Sequence, residues 1–377
     1  MRWATGAFRP SFLRSGFPGR SRRRLHALLG LCALALTFAA CGQERQRVTE
    51  LSGARLETLP LPQGDYFSAL WLRRDMVVVS YDGDKEAQFD PLLPLRTVRP
   101  DGSGFRILEL PDRKRCFETT FTRPSRLADG RLGYTKYCRE DSVIPRGRGT
   151  LNAYDPETKE LETIVERAAP IPNYTWDPSL QRGLYSRSSG ICAGIGSVSR
   201  EGVGPLDVRV TEDGGSWRID APLADQTDCS DEEGRAKAPA WSPTGSTIAF
   251  LASPQSIGVE GMARIDEPWN LYLMDSERRE PRAVVRDILL PSDPVWAPDG
   301  RRIAFSGEPL GEPPGLFLYS VGDEEIQRVA EGELDPASWS PDGTRLMGIR
   351  RLNRIGDSPP RTELVNIDLR RALTQAR

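Results

Sequence analysis

Pro294-Val295-Trp296-Ala297-Pro298-Asp299-Gly300-Arg301-Arg302-Ile303-Ala304-Phe305 is the stretch that decides the fold. A short β-prone run ends at a tryptophan, Pro-Asp-Gly reverses the chain, and a second run alternates large and small apolar side chains. Proline presets φ, aspartate caps the turn with its side chain, and glycine supplies the positive φ that the reversal needs. Alternation at period two predicts strands on either side, so the unit reads as a hairpin.

Two further copies follow the same plan. Pro239-Ala240-Trp241-Ser242-Pro243-Thr244-Gly245 runs into Thr247-Ile248-Ala249-Phe250, and Ser338-Trp339-Ser340-Pro341-Asp342-Gly343 runs into Arg345-Leu346-Met347-Gly348. Leu271–Asp275, Leu316–Tyr319 and Glu363–Asp368 read as third strands of these units, Arg282–Val285 and Ile326–Val329 as fourth strands. Degenerate copies lie upstream at Leu70-Trp71-Leu72, Arg126–Gly130 and Thr175–Pro178. The anchors are then 71, 126, 176, 241, 296 and 339, at intervals of 55, 50, 65, 55 and 43 residues. Such intervals suit four-stranded units with variable loops.

The W-S-P-D-G-x-x-I-A-F pattern resembles the WD40-like repeat of TolB-like six-bladed β-propellers. The resemblance covers residues 53–377 and implies an all-β fold of six four-stranded antiparallel blades. Trp241, Trp296 and Trp339 are expected to pack between blades, with Trp71 and Trp176 at the matching repeat positions, and Gly245, Gly300 and Gly343 to shape the turns. The last unit stops after its third strand, so strand-like Ala54–Leu59 is expected to complete it and remove the open sheet edge.

The first 40 residues read differently. Seven arginines and no acidic residue precede Cys41, and Ala27–Ala40 is nearly all apolar but too short to span a bilayer. Phe38-Ala39-Ala40-Cys41 resembles the lipobox of bacterial lipoproteins, with Phe38 where leucine is usual. The resemblance implies a signal peptide over 1–40, a lipid on Cys41 and a flexible tether over 41–52. Ser21-Arg22-Arg23-Arg24-Leu25 is a weaker match to a twin-arginine signal. Gly42 is not the aspartate of inner-membrane retention, so the outer membrane, facing the periplasm, is the expected location.

Without the signal, 44 basic residues face 53 acidic ones, and no basic block remains; nucleic acid is therefore not an expected partner. Cys116, Cys138, Cys192 and Cys229 remain beyond the anchor, an even number for an oxidising compartment. Cys116–Cys138 and Cys192–Cys229 are the expected disulfides, since each pair flanks one stretch of a blade. Their spacing contains no C-x-x-C, which argues against zinc.

Catalytic signals are sparse. The one histidine, His26, lies in the signal, which leaves no imidazole for a Ser-His or Cys-His nucleophile. No G-x-S-x-G occurs, and none of the five lysines lies three residues after a serine. Asp82-Gly83-Asp84-Lys85-Glu86 lacks the spacing of a calcium loop, and Asp228–Glu233 reads as solvated loop. No cofactor or metal is expected. The reading is a monomeric, non-catalytic scaffold that binds an envelope protein or peptide through loops expected at 82–94, 139–149, 188–204, 253–268, 307–314 and 351–361. The alternatives are a carboxylate- or calcium-dependent hydrolase of glycosidase or lactonase type, and a sugar or small-ligand binder. TolB proteins carry an α/β domain before the propeller that no stretch here resembles, so a Tol–Pal role is not expected.

Overall fold

The computed structural model describes residues 48–83, 95–111, 118–121, 124–139, 147–168, 174–189, 192–199, 208–212, 215–219, 235–253, 268–278, 281–309, 311–352 and 361–375. The signal, Cys41, Cys116 and Cys229 lie outside them.

Strands β1 (Val48–Glu50) and β2 (Arg55–Thr58) come first and join sheets formed late in the chain. The first unit is β3 (Asp65–Arg73), β4 (Met76–Asp82), β5 (Leu95–Val98) and β6 (Arg106–Ile107), four antiparallel strands in chain order. The second is β7 (Glu118–Phe121) with β8 (Ser125–Arg126), then β9 (Leu132–Arg139), β10 (Gly147–Tyr154) and β11 (Leu161–Ala168). The third is β12 (Tyr174–Trp176), β13 (Arg182–Ser189) and β14 (Cys192–Ser199); β15 (Val208–Glu212) and β16 (Gly215–Ile219) pair as a separate hairpin.

The fourth unit is β17 (Arg235–Trp241), β18 (Thr247–Ser253), β19 (Trp269–Asp275) and β20 (Pro281–Leu289). The fifth is β21 (Val295–Trp296), β22 (Arg302–Pro309), β23 (Gly315–Ser320) and β24 (Glu325–Glu331). A short pairing of Ile288 with Pro309 and Leu289 with Glu308 fuses these two into one sheet, and β1 adds to β24 in parallel. The sixth is β25 (Leu334–Trp339), β26 (Arg345–Leu352) and β27 (Arg361–Asp368), with β2 antiparallel to β27. Helix α1 (Arg370–Gln375) follows.

The alternation of side chains sends neighbours in sequence into different cores. Ile303 and Phe305 join a cluster with residues of the fourth unit, whereas Ala304 joins one with the sixth. Ile248 and Phe250 likewise meet the third unit while Ala249 and Leu251 meet the fifth. Each central strand is thus covered on both faces, which is why it is apolar throughout. Similar clusters join the first unit to the second through Val78 and Tyr134, and the second to the third through Ala153 and Trp176. Another joins the first to the sixth: Trp71, Val77 and Val79 lie with Met347 and Leu364, nearly 300 residues away in sequence.

A second set of bonds ties these interfaces. The residue before four of the six anchors offers the next unit one of two acceptors. Where it carries a hydroxyl, that oxygen accepts from the next anchor's backbone: Trp71 N donates to Ser338 Oγ (2.6 Å) and Trp241 N to Thr175 Oγ1 (3.2 Å). Where it is Ala240 or Val295, the carbonyl accepts from the next indole, Trp296 Nε1 at 3.0 Å and Trp339 Nε1 at 3.1 Å. Each such bond satisfies a donor that packing would otherwise strand.

Four features depart from expectation. Val48–Glu50, inside the 41–52 stretch expected as a tether, is strand: Val48 packs on the fifth unit, and Glu50 pairs with Arg328. The long loop expected at 188–204 is largely strand, since β13 and β14 are separated in sequence by Gly190 and Ile191 alone. Its Ser-, Ala- and Gly-rich composition hid a strand pair whose described core residues are Leu184, Tyr185 and Ile195. Among the described residues the third unit has three strands rather than four. Arg370–Gln375 is helical, docked by buried Leu369 and Ala372 against the sixth unit.

Candidate functional site

The first strands of all six units border one cavity of about 550 Å³. Residues 66–69 of β3 contribute to its wall, as do Pro124 and Ser125, Thr175, 238–240 of β17, 290–295 before and within β21, and 335–337 of β25. A first strand has no partner on its cavity side and so presents an edge. Prolines stand on these edges in four units, at Pro124, Pro239, Pro294 and Pro336. A proline has no N–H to donate, so these edges resist addition of another strand.

Most hydroxyls of the wall are engaged in holding it together. Ser186 Oγ accepts from Ala238 N (2.7 Å), and Ala238 itself stands at φ 54° within a bulge of β17. Thr362 Oγ1 accepts from Tyr66 N (2.6 Å), and Ser292 Oγ accepts from Ser306 N (2.9 Å). Asp335 receives Ser306 Oγ on one oxygen (2.6 Å) and Arg351 on the other (2.7 Å). The charged groups of the wall are Asp293, Asp335 and Arg351. Tyr66 is held neutral, because burial and the nearby Tyr81 push its hydroxyl pKa well up; it donates to Pro62 O at 2.7 Å.

Two large apolar side chains of this wall stand open to solvent, Leu290 at 63% and Phe67 at 48% exposure. Leu290 has φ 47°, a left-handed conformation that a branched side chain avoids. Bonds on either side impose it: Asp287 N donates to Asn270 Oδ1 (2.9 Å), and Ser292 N to Ser306 O (3.2 Å). Backbone strain held in place by its surroundings is often found at binding sites.

The repeat residues lie away from this wall. Trp71, Trp176, Trp241, Trp296 and Trp339 are all buried. Gly245, Gly300 and Gly343 have φ of 74°, 68° and 66°, each donating its N–H to the carbonyl three residues earlier at 2.9 Å. By backbone, Cys138 sits in β9 opposite Thr119 and Cys192 opens β14 opposite Ser189. Their expected partners, Cys116 and Cys229, lie outside the described residues. Asp84–Glu86, Asp228–Glu233 and the loop residues 254–267 and 353–360 also lie outside. Among the described residues no helix is long and apolar enough to cross a membrane, and no group of three His, Cys, Asp or Glu converges.

Sequence reasoning missed the wall itself. Its one available signal was the proline two places before the anchor, present in both Pro239-Ala240-Trp241 and Pro294-Val295-Trp296.

No protein-family model matches the chain. Over 82 residues it is 32% identical to the Tol-Pal system protein TolB of Alcanivorax borkumensis, a match that covers 21% of this chain and 19% of that protein. The matched region therefore spans about a fifth of the relative's length. Among solved structures it is similar to TolB from Acinetobacter baumannii, at 15% identity over 81% of this chain and 63% of that one (TM-score 0.47). It is similar to a Mycobacterium tuberculosis puromycin-hydrolyzing peptidase at 15% identity, over 82% and 46% of the two chains (TM-score 0.45). A protein of unknown function from Dyadobacter fermentans is 12% identical over 84% and 99% (TM-score 0.49).

Proposed function

We propose that this chain is a six-bladed β-propeller of the bacterial cell envelope whose central cavity receives a segment of a partner protein and performs no chemistry on it. In this reading the six strand units are the blades, and β2 closes the last one. Residues 1–40 are the export signal, and Cys41 carries the lipid that holds a monomeric domain at the outer membrane, facing the periplasm. The match to a Tol-Pal system protein TolB supports an envelope setting.

The observation that carries the reading is the cavity wall. Phe67 and Leu290 offer apolar surface to an incoming side chain, and bonds on either side hold the Leu290 backbone in its left-handed conformation. Proline on the edges directs recognition to side chains. Of the two wall carboxylates, Asp335 is committed to Arg351 and Ser306.

The test compares the full chain with a Phe67→Arg, Leu290→Glu double variant as bait in solubilised envelope. The proposal expects a partner that the full chain retains and the variant loses. A partner bound equally by both contradicts it. So does turnover of glycosides or lactones that disappears in Asp335→Asn, which would favour the hydrolase alternative.

A further inference from the structure

On the side of the sheets where first strands turn into second strands, neighbouring turns meet through one repeated contact. A Cβ built on Gly245 would lie 2.7 Å from Pro178, one on Gly300 3.9 Å from Pro243, and one on Gly343 3.6 Å from Pro298. In these three pairs, from the third unit to the sixth, the proline of one turn faces the glycine of the next. Pro341, in the sixth unit, faces the first unit, where the pattern breaks. There β3 and β4 join through Arg74-Asp75, with neither proline nor glycine. Where the next contact would fall, a cavity of about 140 Å³ opens instead, lined by Trp71, Arg74, Ser340, Pro341, Asp342 and Arg345.

Trp71 is buried, and the Arg345 guanidinium carbon lies 5.0 Å from the centre of its ring. Stacking fixes the plane of the guanidinium and uses none of its N–H donors. Among the described residues no acceptor takes a hydrogen bond from the Arg345 guanidinium, and its Nε is buried without a partner. Arg74, exposed, donates to none either. Two carboxylates lie within electrostatic range of Arg345, and neither accepts a hydrogen bond from it. Asp342 accepts from Ser340 Oγ (2.6 Å), Thr344 Oγ1 (2.8 Å) and Thr344 N (3.1 Å), and Asp368 is clasped by Arg370. Of the charged side chains that line the cavity, Arg74 and Arg345 outnumber Asp342, so it keeps a positive balance.

We propose that this cavity is a carboxylate-binding site. A planar carboxylate matches the guanidinium fork through two parallel N–H···O bonds, and Arg74 adds a second cation. At about 30 Å³ per water the space equals roughly four or five waters, enough for the carboxylate and a short stem. The site stands apart from the central cavity, and its occupancy does not depend on what that cavity binds.

The experiment titrates the full chain with sodium acetate at constant ionic strength and follows the Trp71 indole resonance, assigned through Trp71→Phe. A saturable shift is expected, with neutral acetamide silent, at least tenfold weaker binding in Arg345→Gln and several-fold weaker binding in Arg74→Gln. Arg74 is exposed, so its variant tests the site even if Arg345→Gln unfolds, which circular dichroism reports. An acetylated, amidated Ala-Glu-Ala peptide that competes with acetate assigns the site to a side chain of a docked protein; competition by free short acids alone assigns it to a small molecule. A response that does not saturate, or one that Arg74→Gln and folded Arg345→Gln leave unchanged, overturns the proposal.

Discussion

Alanine at the turn glycines separates backbone strain from contact between units. Gly130, Gly245, Gly300 and Gly343 all hold positive φ, at 85°, 74°, 68° and 66°. A Cβ in that region costs about 1 kcal/mol relative to glycine, partly offset by the more restricted unfolded chain. Gly130→Ala reads that backbone effect alone, because nothing lies within 4 Å of its Cβ. Gly300→Ala and Gly343→Ala add only ordinary contacts and should match it. Gly245→Ala differs, since its Cβ would fall 2.7 Å from Pro178 Cδ, on a rigid ring that cannot swing aside. Overpacking of this kind adds about 1–3 kcal/mol, which gives a total of about 2–4 kcal/mol. Urea unfolding of the four variants measures the series. If Gly245→Ala falls with the other three within about 0.5 kcal/mol, the third and fourth units do not meet at their turns and the packing described is wrong.

Other outcomes follow from the same structure. Ser338→Ala strips the acceptor from the buried Trp71 N–H and should destabilise by about 1–3 kcal/mol in urea unfolding; a neutral result removes that link between the sixth and first units. Bonds from Arg370 hold the Asp368 carboxyl down at about 2, below the ordinary aspartate value of about 3.9. The ionised form is thus favoured by folding, so its stabilisation is complete above pH ~4 and fades as pH falls towards 2. The thermal-midpoint gap between the unsubstituted chain and Asp368→Asn should narrow over that window, and a constant gap would count against the pairing. Cys41→Ser should move the protein from the membrane fraction to the soluble fraction, and a variant that stays with the membrane argues against the lipid.

The repeat made much of this architecture legible. Tryptophan, a Pro-Asp-Gly turn and alternating apolar residues state strand, reversal and strand locally, and three clear copies located the degenerate ones. Ala54–Leu59 was readable as strand because the last unit lacked a fourth. Legibility failed where local chemistry was ambiguous. Leu180 occupies the turn position that glycine holds elsewhere, at φ 57°, which leaves the third unit's repeat degenerate. Val48–Glu50 is too short to announce itself and owes its strand to Arg328 and the edge of β24. The cavity wall was hidden for another reason. The bonds of Ser186 to Ala238 and of Thr362 to Tyr66 arise only when separate units come together.

The meeting of the chain's two ends is tested by cysteines at Glu57 and Asn366, Cα partners on β2 and β27. Glu57→Cys with Asn366→Cys should cross-link on mild oxidation, located by peptide mass mapping. A control that pairs Glu57→Cys with Gln327→Cys on β24 should not. Absence of the 57–366 link, or equal yield from the control, would mean that β2 does not close the sixth blade and that the ring around the cavity is not formed as proposed.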